Sequence, residues 1–269
     1  MTTLATDVSD AEQDWQRWRA HRQAELSKPY GWLSLTGLHW LTPHPRRLPG
    51  VPGQWWHDQA GLWVRAGAGE VPLTVDGAPV TGPVPVLRTE GPARTVHAGR
   101  LLLEPLNRSG VWGLRVRDPD APTRAAFDGV PTFDYHPAWV VRGRFERFPS
   151  GPRVTATGSV ADGIEHVVEL AGLARLTLDG QEHRLQLGTG GHPTVVFRDA
   201  TSGIESYPAL RFVPATVSGQ EVVIDFNRAV NPPCAFTDFG TCPLPPPGNT
   251  LIVRVTAGEQ WPGADGVPG

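Results

Sequence analysis

The chain has 269 residues, long enough to bury a substantial core as one large β domain or two smaller ones, and its 39% hydrophobic and 19% charged residues describe a folded globule rather than a disordered or fibrous chain. Its formal charge is −3 and no cluster of basic residues stands clear of nearby acids, which argues against a nucleic-acid partner. No stretch approaches the roughly 18 consecutive apolar residues of a membrane helix, and the acidic start MTTLATDVSDAEQDW lacks the basic and apolar regions of a secretory signal, so a cytoplasmic protein without a membrane partner is expected.

The first expected element is a helix over 9–27. Ser9 and Glu12 supply a Ser-x-x-Glu capping box, Trp15, Trp18 and Leu26 share a face, and Pro29 ends it. Thereafter 31 Gly and 28 Pro across the chain break helical periodicity repeatedly. Two hairpins stand out, at 71–80 around Asp76-Gly77 and at 173–187 around Asp179-Gly180. Further strands are expected at 101–106, 112–117, 138–147, 164–170, 194–199, 209–214, 221–226 and 250–257. Trp55, Trp56 and Trp63 read as core and sheet-packing residues. The stretch RDPDAPTRAAFDG, 117–129, concentrates Asp, Pro and Gly between two strand-rich halves. The expected fold is therefore all-β: an N-terminal helix (1–29) followed by two packed antiparallel β modules of sandwich or barrel type, 30–118 and 124–262. A single continuous sandwich is the alternative. The tail from Trp261 is Gly/Pro-rich and is expected to fray.

Common catalytic signatures are absent. There is no Gly-x-Ser-x-Gly elbow, His-Glu-x-x-His helix or EF-hand loop, and Gly188-Thr189-Gly190-Gly191 misses the dinucleotide spacing. The nine histidines are scattered without zinc-site pairing, so no metal is expected and no cofactor is assigned. Lys28 is the only lysine and has no glycine loop around it, which leaves arginine as the anion binder, its planar fork suited to carboxylate and phosphate. The Asn107-Arg108-Ser109 sequon reads as chance.

Two segments carry the chemistry. Residues 225–251, DFNRAVNPPCAFTDFGTCPLPPPGNTL, form a polar, proline-stiffened loop that presents Asp225, Asn227, Arg228, Asn231, Cys234 and Asn249. Residues 197–212, FRDATSGIESYPALRF, end a strand at Asp199, turn through Thr201-Ser202-Gly203 and carry Tyr207 and Arg211. The pattern Asp-x-Thr-Ser-Gly-x-x-x-Tyr-x-x-x-Arg, followed by Asp225-Phe226-Asn227-Arg228, Asn231-Pro232-Pro233-Cys234-Ala235-Phe236 and Cys242-Pro243-Leu244-Pro245-Pro246-Pro247, resembles a prokaryotic family catalogued as a domain of unknown function, number sixteen-eighty-four. Tyr30 to Leu41, Gly113 to Asp118 and Ala257-Gly258-Glu259 extend the resemblance over roughly 30–261. It implies a shared fold and brings no reaction, cofactor or catalytic residue with it. Pro43-His44-Pro45-Arg46-Arg47 replaces the Gly-rich stretch reminiscent of forkhead-associated sandwiches, which weakens a phosphopeptide reading of the first half.

The functional expectation is an enzyme or binding protein for a small anionic ligand, in a polar pocket where 197–212 meets 225–251. Cys234, Tyr207 and Asp199 are its candidate catalytic residues, and Arg211, Arg228, Asp225, Asn227 and Asn231 its ligand-binding ones. The opposing structural expectation for Arg211 is an ion pair with Asp199 or Asp225. The alternative function is a protein-interaction module built on the proline-stiffened loop, and a deep polar pocket or a flat apolar patch separates the two. Cys234 and Cys242 are expected as reduced thiols, Cys234 the functional one and Cys242 a small buried hydrophobe.

Overall fold

The computed structural model describes residues 3–189 and 192–263; residues 1–2, Gly190, Gly191, the side chains of residues 3–9, the expected cap at Ser9 among them, and the tail beyond Gly263 lie outside the described residues. Helix α1 spans Thr3–Leu26, so it starts ahead of the expected cap at Ser9. A Ser-x-x-Glu sequence is also compatible with helix interior, and nothing in residues 3–8 breaks a helix. Among the described residues no helix is long and apolar enough to cross a membrane. The chain divides into two compact units, Glu25–Phe127 and Asp128–Gly269, the second joined by Met1–Ala24.

The Glu25–Phe127 unit carries β1 (Leu35–Trp40), β2 (Arg46–Leu48), β3 (Val51–Asp58), β4 (Gly61–Arg65), β5 (Leu73–Val75), β6 (Ala78–Pro79), β7 (Val84–Arg88), β8 (Val96–Ala98), β9 (Leu101–Arg108) and β10 (Val111–Arg117). They form a six-stranded sheet, β1-β10-β9-β8-β5-β6, and a four-stranded one, β2-β3-β4-β7. Trp55, Leu62 and Val86 of the smaller sheet share one apolar cluster with Val96, Leu103 and Leu114 of the larger, the layering of a β-sandwich. Arg115 and Arg117 lie over the Trp32 ring at 5.4 and 5.0 Å and both pair with Glu104, while Arg117 also donates to the carbonyls of Tyr30 and Gly31. The Tyr30-Gly31-Trp32 and Gly113 to Asp118 motifs therefore meet as a structural knot.

The second unit carries β11 (Val140–Arg147), β12 (Arg153–Gly158), β13 (Glu165–Leu178), β14 (Gln181–Gly188), β15 (Thr194–Phe197), β16 (Arg211–Ser218) and β17 (Glu221–Asp225). Their order is β11-β17-β16-β15-β14-β13, and β13 pairs again with β11, so six strands close a barrel and β12 extends β13 outside it. Closure removes free sheet edges. The lumen is filled by buried side chains, among them Phe145, Leu176, Leu187, Phe197, Val213 and Ile224, and is a core rather than a channel.

Both expected Asp-Gly hairpins form. Asp76 and Asp179 adopt φ of 50° and 49° ahead of their glycines, the left-handed pair of a type I′ turn. The expected strand at 250–257 does not form. Its alternation is real in burial, with Leu251, Val255 and Ala257 inside and Ile252, Arg254 and Thr256 outside, but among the described residues it is bridged to the chain only by the isolated parallel bridge Arg198↔Thr250, beside which the Ala200 N–H donates to the Val253 carbonyl at 3.0 Å.

Candidate functional site

Arg211 opens β16 and explains what holds 250–259 without a partner strand. Its Nη1 donates to the carbonyls of Ala257 (2.6 Å) and Glu259 (3.4 Å) and its Nη2 to that of Val255 (3.0 Å). These are alternate carbonyls of an irregular segment that bends at Gly258 (φ 80°), so one guanidinium ties together backbone groups that have no strand ladder. Nη2 also faces Asp199 Oδ1 at 3.3 Å, and the other Asp199 oxygen accepts the Val255 N–H at 2.6 Å. Thr201 Oγ1 reaches both Asp199 oxygens at 2.9 Å and contacts Ser206 Oγ at 2.7 Å. Arg211 is 1% exposed, and burial pushes its pKa down while Asp199 opposes the shift. Both residues are buried, and each is engaged by the other and by the backbone around it, while Arg211 Nε has no hydrogen-bond partner among the described residues.

The remaining expected ligand-binding residues anchor α1 to the barrel. Asn227 accepts the His136 N–H (3.0 Å), donates to the His136 carbonyl (3.1 Å) and to Asp225 (2.9 Å), and its own carbonyl accepts the Trp15 indole N–H at 2.8 Å. Arg228 bridges Asp225 and Asp14 and lies over the Trp18 ring, and its hydrogen bond holds the Asp14 carboxyl below the usual range. Asn231 donates its backbone N–H to buried Glu259, which pairs with Arg22 of α1 at 3.0 Å. Asp225, Asn227, Arg228 and Asn231 thus bind helix and loop to each other rather than surround a space.

Tyr207 and Cys234 do come together. Burial above all, with smaller contributions from neighbouring Cys234, Cys242 and Asp238, pushes the Tyr207 hydroxyl well above its ordinary pKa. Cys234 is half-buried and Cys242 buried, and neither is part of a disulfide. Cys234 Sγ accepts the backbone N–H of Cys242 at 3.3 Å. Asp199 is not part of this group.

Several concavities are present among the described residues, including one of about 340 Å³ lined by Arg147, Phe148, Pro152, Ala171 and Pro193. An apolar groove of about 280 Å³ on the barrel's outer wall is lined by Val168, Leu170, Val196, Phe212, Leu244 and Pro246, where β14 and β15 diverge after the single pair Gly188↔Thr194. A larger open cavity of about 650 Å³ belongs to the Glu25–Phe127 unit and had no signature in the sequence. Three chain reversals or ends build it: the β3–β4 turn, the end of β7 with the loop to Ala93, and the β9–β10 hairpin. Gly61 permits this assembly, because a Cβ there would stand 2.1 Å from the Leu87 carbonyl oxygen. Asn107 Oδ1 accepts the Gly110 N–H at 2.9 Å and secures the hairpin turn. Trp112, stacked on His57 at 6.2 Å, forms part of the wall.

The cavity's carboxylates are already engaged. Asp58 accepts from the Trp63 indole and from the Ala60 and Gly61 amides, which hold its carboxyl below the usual range. Glu104 pairs with Arg117 at 2.7 Å and with Arg115 at 3.5 Å. Arg88, exposed and lining the same cavity, has no carboxylate partner among the described residues. Arg108 lines it from the facing hairpin and donates to the Asn107 carbonyl. Sequence reading missed this pair because the two lie 20 positions apart on strands that are not neighbours.

No curated protein is similar to the chain. The solution NMR structure of an uncharacterized protein from Haloarcula marismortui is 31% identical, covers 51% of this chain and 78% of its own, and superposes with a TM-score of 0.42. The model of one family, described as "Protein of unknown function (DUF1684)", matches residues 125–260, which takes in the Asp199 to Arg211, Asn231 to Phe236 and Cys242 to Pro247 motifs and leaves out Tyr30 to Leu41 and Gly113 to Asp118. With half of its length matched, the chain belongs to that family of unknown function.

Proposed function

We propose that the chain binds a small anionic molecule, a carboxylate or phosphate, in the cavity of its Glu25–Phe127 unit, with Arg88 as the principal anion contact and Arg108 beside it. The observation that carries this reading is an unpaired guanidinium at a large cavity whose own carboxylates are engaged. A planar donor fork without an acceptor suits a carboxylate or phosphate oxygen pair. Binding is favoured over catalysis because no His, Cys, Lys or Tyr lines the cavity to serve as base or nucleophile. It is favoured over a docking module built on the proline run because that run is itself committed to the barrel: Pro246 is buried, its carbonyl accepts the Asn249 N–H, and Pro247 accepts from Gln186.

Titration of the full chain with inorganic phosphate and with succinate, followed by NMR, tests this. Resonances of the Arg88 guanidinium and the Trp112 indole should shift saturably. Arg88→Ala should weaken the response roughly ten- to a hundred-fold, the worth of one charged hydrogen bond. An unchanged response in that variant sinks the reading.

A further inference from the structure

The two cysteines belong to the other unit and play no part in anion binding. Their surroundings are more specific than two buried hydrophobes require. A Cβ on Gly240 would lie 2.4 Å from Cys234 Sγ, so the main chain at 240–242 wraps the sulfur closely enough to demand glycine. The wrap delivers the Cys242 N–H to that sulfur at 3.3 Å. A backbone donor on sulfur favours the thiolate over the thiol, and Cys234 retains partial exposure through which a small reagent reaches it. The same N–H belongs to the residue that carries the second, buried thiol, so the two cysteines adjoin through the hydrogen bond already formed. Tyr207 lies within electrostatic reach of both, and its hydroxyl makes no hydrogen bond to any described residue. Held above its ordinary pKa, it stays protonated and donates. The sulfurs belong to no group of three or more metal-donor side chains among the described residues, so a metal site does not explain the arrangement.

We propose that Cys234 and Cys242 form a redox dithiol that reduces a small hydroperoxide, with Cys234 attacking, Cys242 resolving and Tyr207 donating to the departing oxygen. In the first step the Cys234 thiolate attacks a peroxide oxygen. An S–O bond forms, the O–O bond breaks, and the leaving alkoxide, hydroxide in the case of hydrogen peroxide, takes up through water the proton that the Cys234 thiol released, while hydrogen-bonded to Tyr207. In the second step Cys242 sulfur attacks the Cys234 sulfenic acid. The S–S bond forms, the S–O bond breaks, and the departing hydroxide takes the Cys242 proton and leaves as water. The net change converts two thiols and one hydroperoxide to a disulfide, an alcohol and water, and a small external dithiol returns the electron pair.

Folded, reduced full chain treated with hydrogen peroxide should lose the mass of two hydrogens, and dithiothreitol should restore it. Cys242→Ser should stop at a Cys234 sulfenic acid that dimedone traps. In Cys234→Ser the buried Cys242 should stay unmodified while the protein is folded. Tyr207→Phe should form the same disulfide about tenfold more slowly, the effect of one transition-state hydrogen bond. If the folded wild type keeps both thiols under peroxide and they react only after unfolding, the proposal fails, and that measurement decides even where a serine variant does not fold. A dimedone adduct first on Cys242 would equally overturn the assigned order.

Discussion

Arg211 reaches from the first position of β16 to Asp199 and to three carbonyls of the 255–259 segment, and every one of those partners is buried or backbone. Truncating it leaves the Asp199 carboxylate charged and enclosed, so Arg211→Ala should destabilise the protein by about 3–5 kcal/mol in urea unfolding. The double variant Arg211→Ala with Asp199→Asn should lose less than the sum of its single variants, because the uncompensated charge is gone. An Arg211→Ala protein within about 0.5 kcal/mol of wild type would show that the pair does not hold this region. Spacing in the sequence identified both residues and could not assign their role, since what encloses Arg211 is an irregular segment more than 40 positions downstream. Arg88 illustrates the opposite failure. Its neighbours are unremarkable, and it becomes a candidate only once a glycine at 61 lets β7 close on the β3–β4 turn.

Signals that are local are legible in the sequence, and interrupted strands are harder to read. Asp-Gly flanked by alternating apolar residues specifies a type I′ hairpin by its own backbone preferences, and both instances formed. β3 was overlooked because Pro52 and Gly53 stand inside it, residues that read as breakers until the sheet around them is known. The 250–257 segment shows that a period of two reports burial and not the ladder that accompanies it. At the neighbouring barrel seam, β14 and β15 part after one pair, and the fully buried Asn249 fills the gap: its Oδ1 accepts the Gln186 N–H at 2.7 Å and its Nδ2 donates to Gln186 and Val196 carbonyls, each at 2.9 Å. An amide supplies donor and acceptor in one plane and so completes both strands at once. Asn249→Leu keeps the volume and abolishes these bonds, each orphaned group costing about 1–3 kcal/mol. Amide hydrogen exchange at Gln186 should accelerate with the loss of stability. Unchanged protection in a folded variant would mean that water or a strand shift closes the seam without Asn249.

At the scale of the molecule, the family match begins at residue 125, whereas the unit it falls in also includes Met1–Ala24. Helix α1 contributes Trp15, 5% exposed, whose indole donates to Asn227 and whose ring meets Tyr135 at 5.7 Å, and Arg22, which neutralises the buried Glu259. A fragment cut at the match boundaries therefore lacks one apolar anchor and the partner of one enclosed carboxylate. Glu259 in turn holds the Asn231 N–H at 2.6 Å, so the missing helix unsettles the loop leading to Cys234. Residues 125–263 expressed alone should unfold at lower urea concentration than the full chain and expose apolar surface to a hydrophobic dye. A synthetic peptide of residues 3–26 added in trans should bind the fragment saturably and raise its midpoint. The Trp15→Ala peptide should bind at least about tenfold more weakly, since removing a buried tryptophan costs several kcal/mol in comparable sites. A fragment as stable as the full chain, indifferent to the peptide, would show that the family's barrel is complete without the helix and that α1 serves only to join the units.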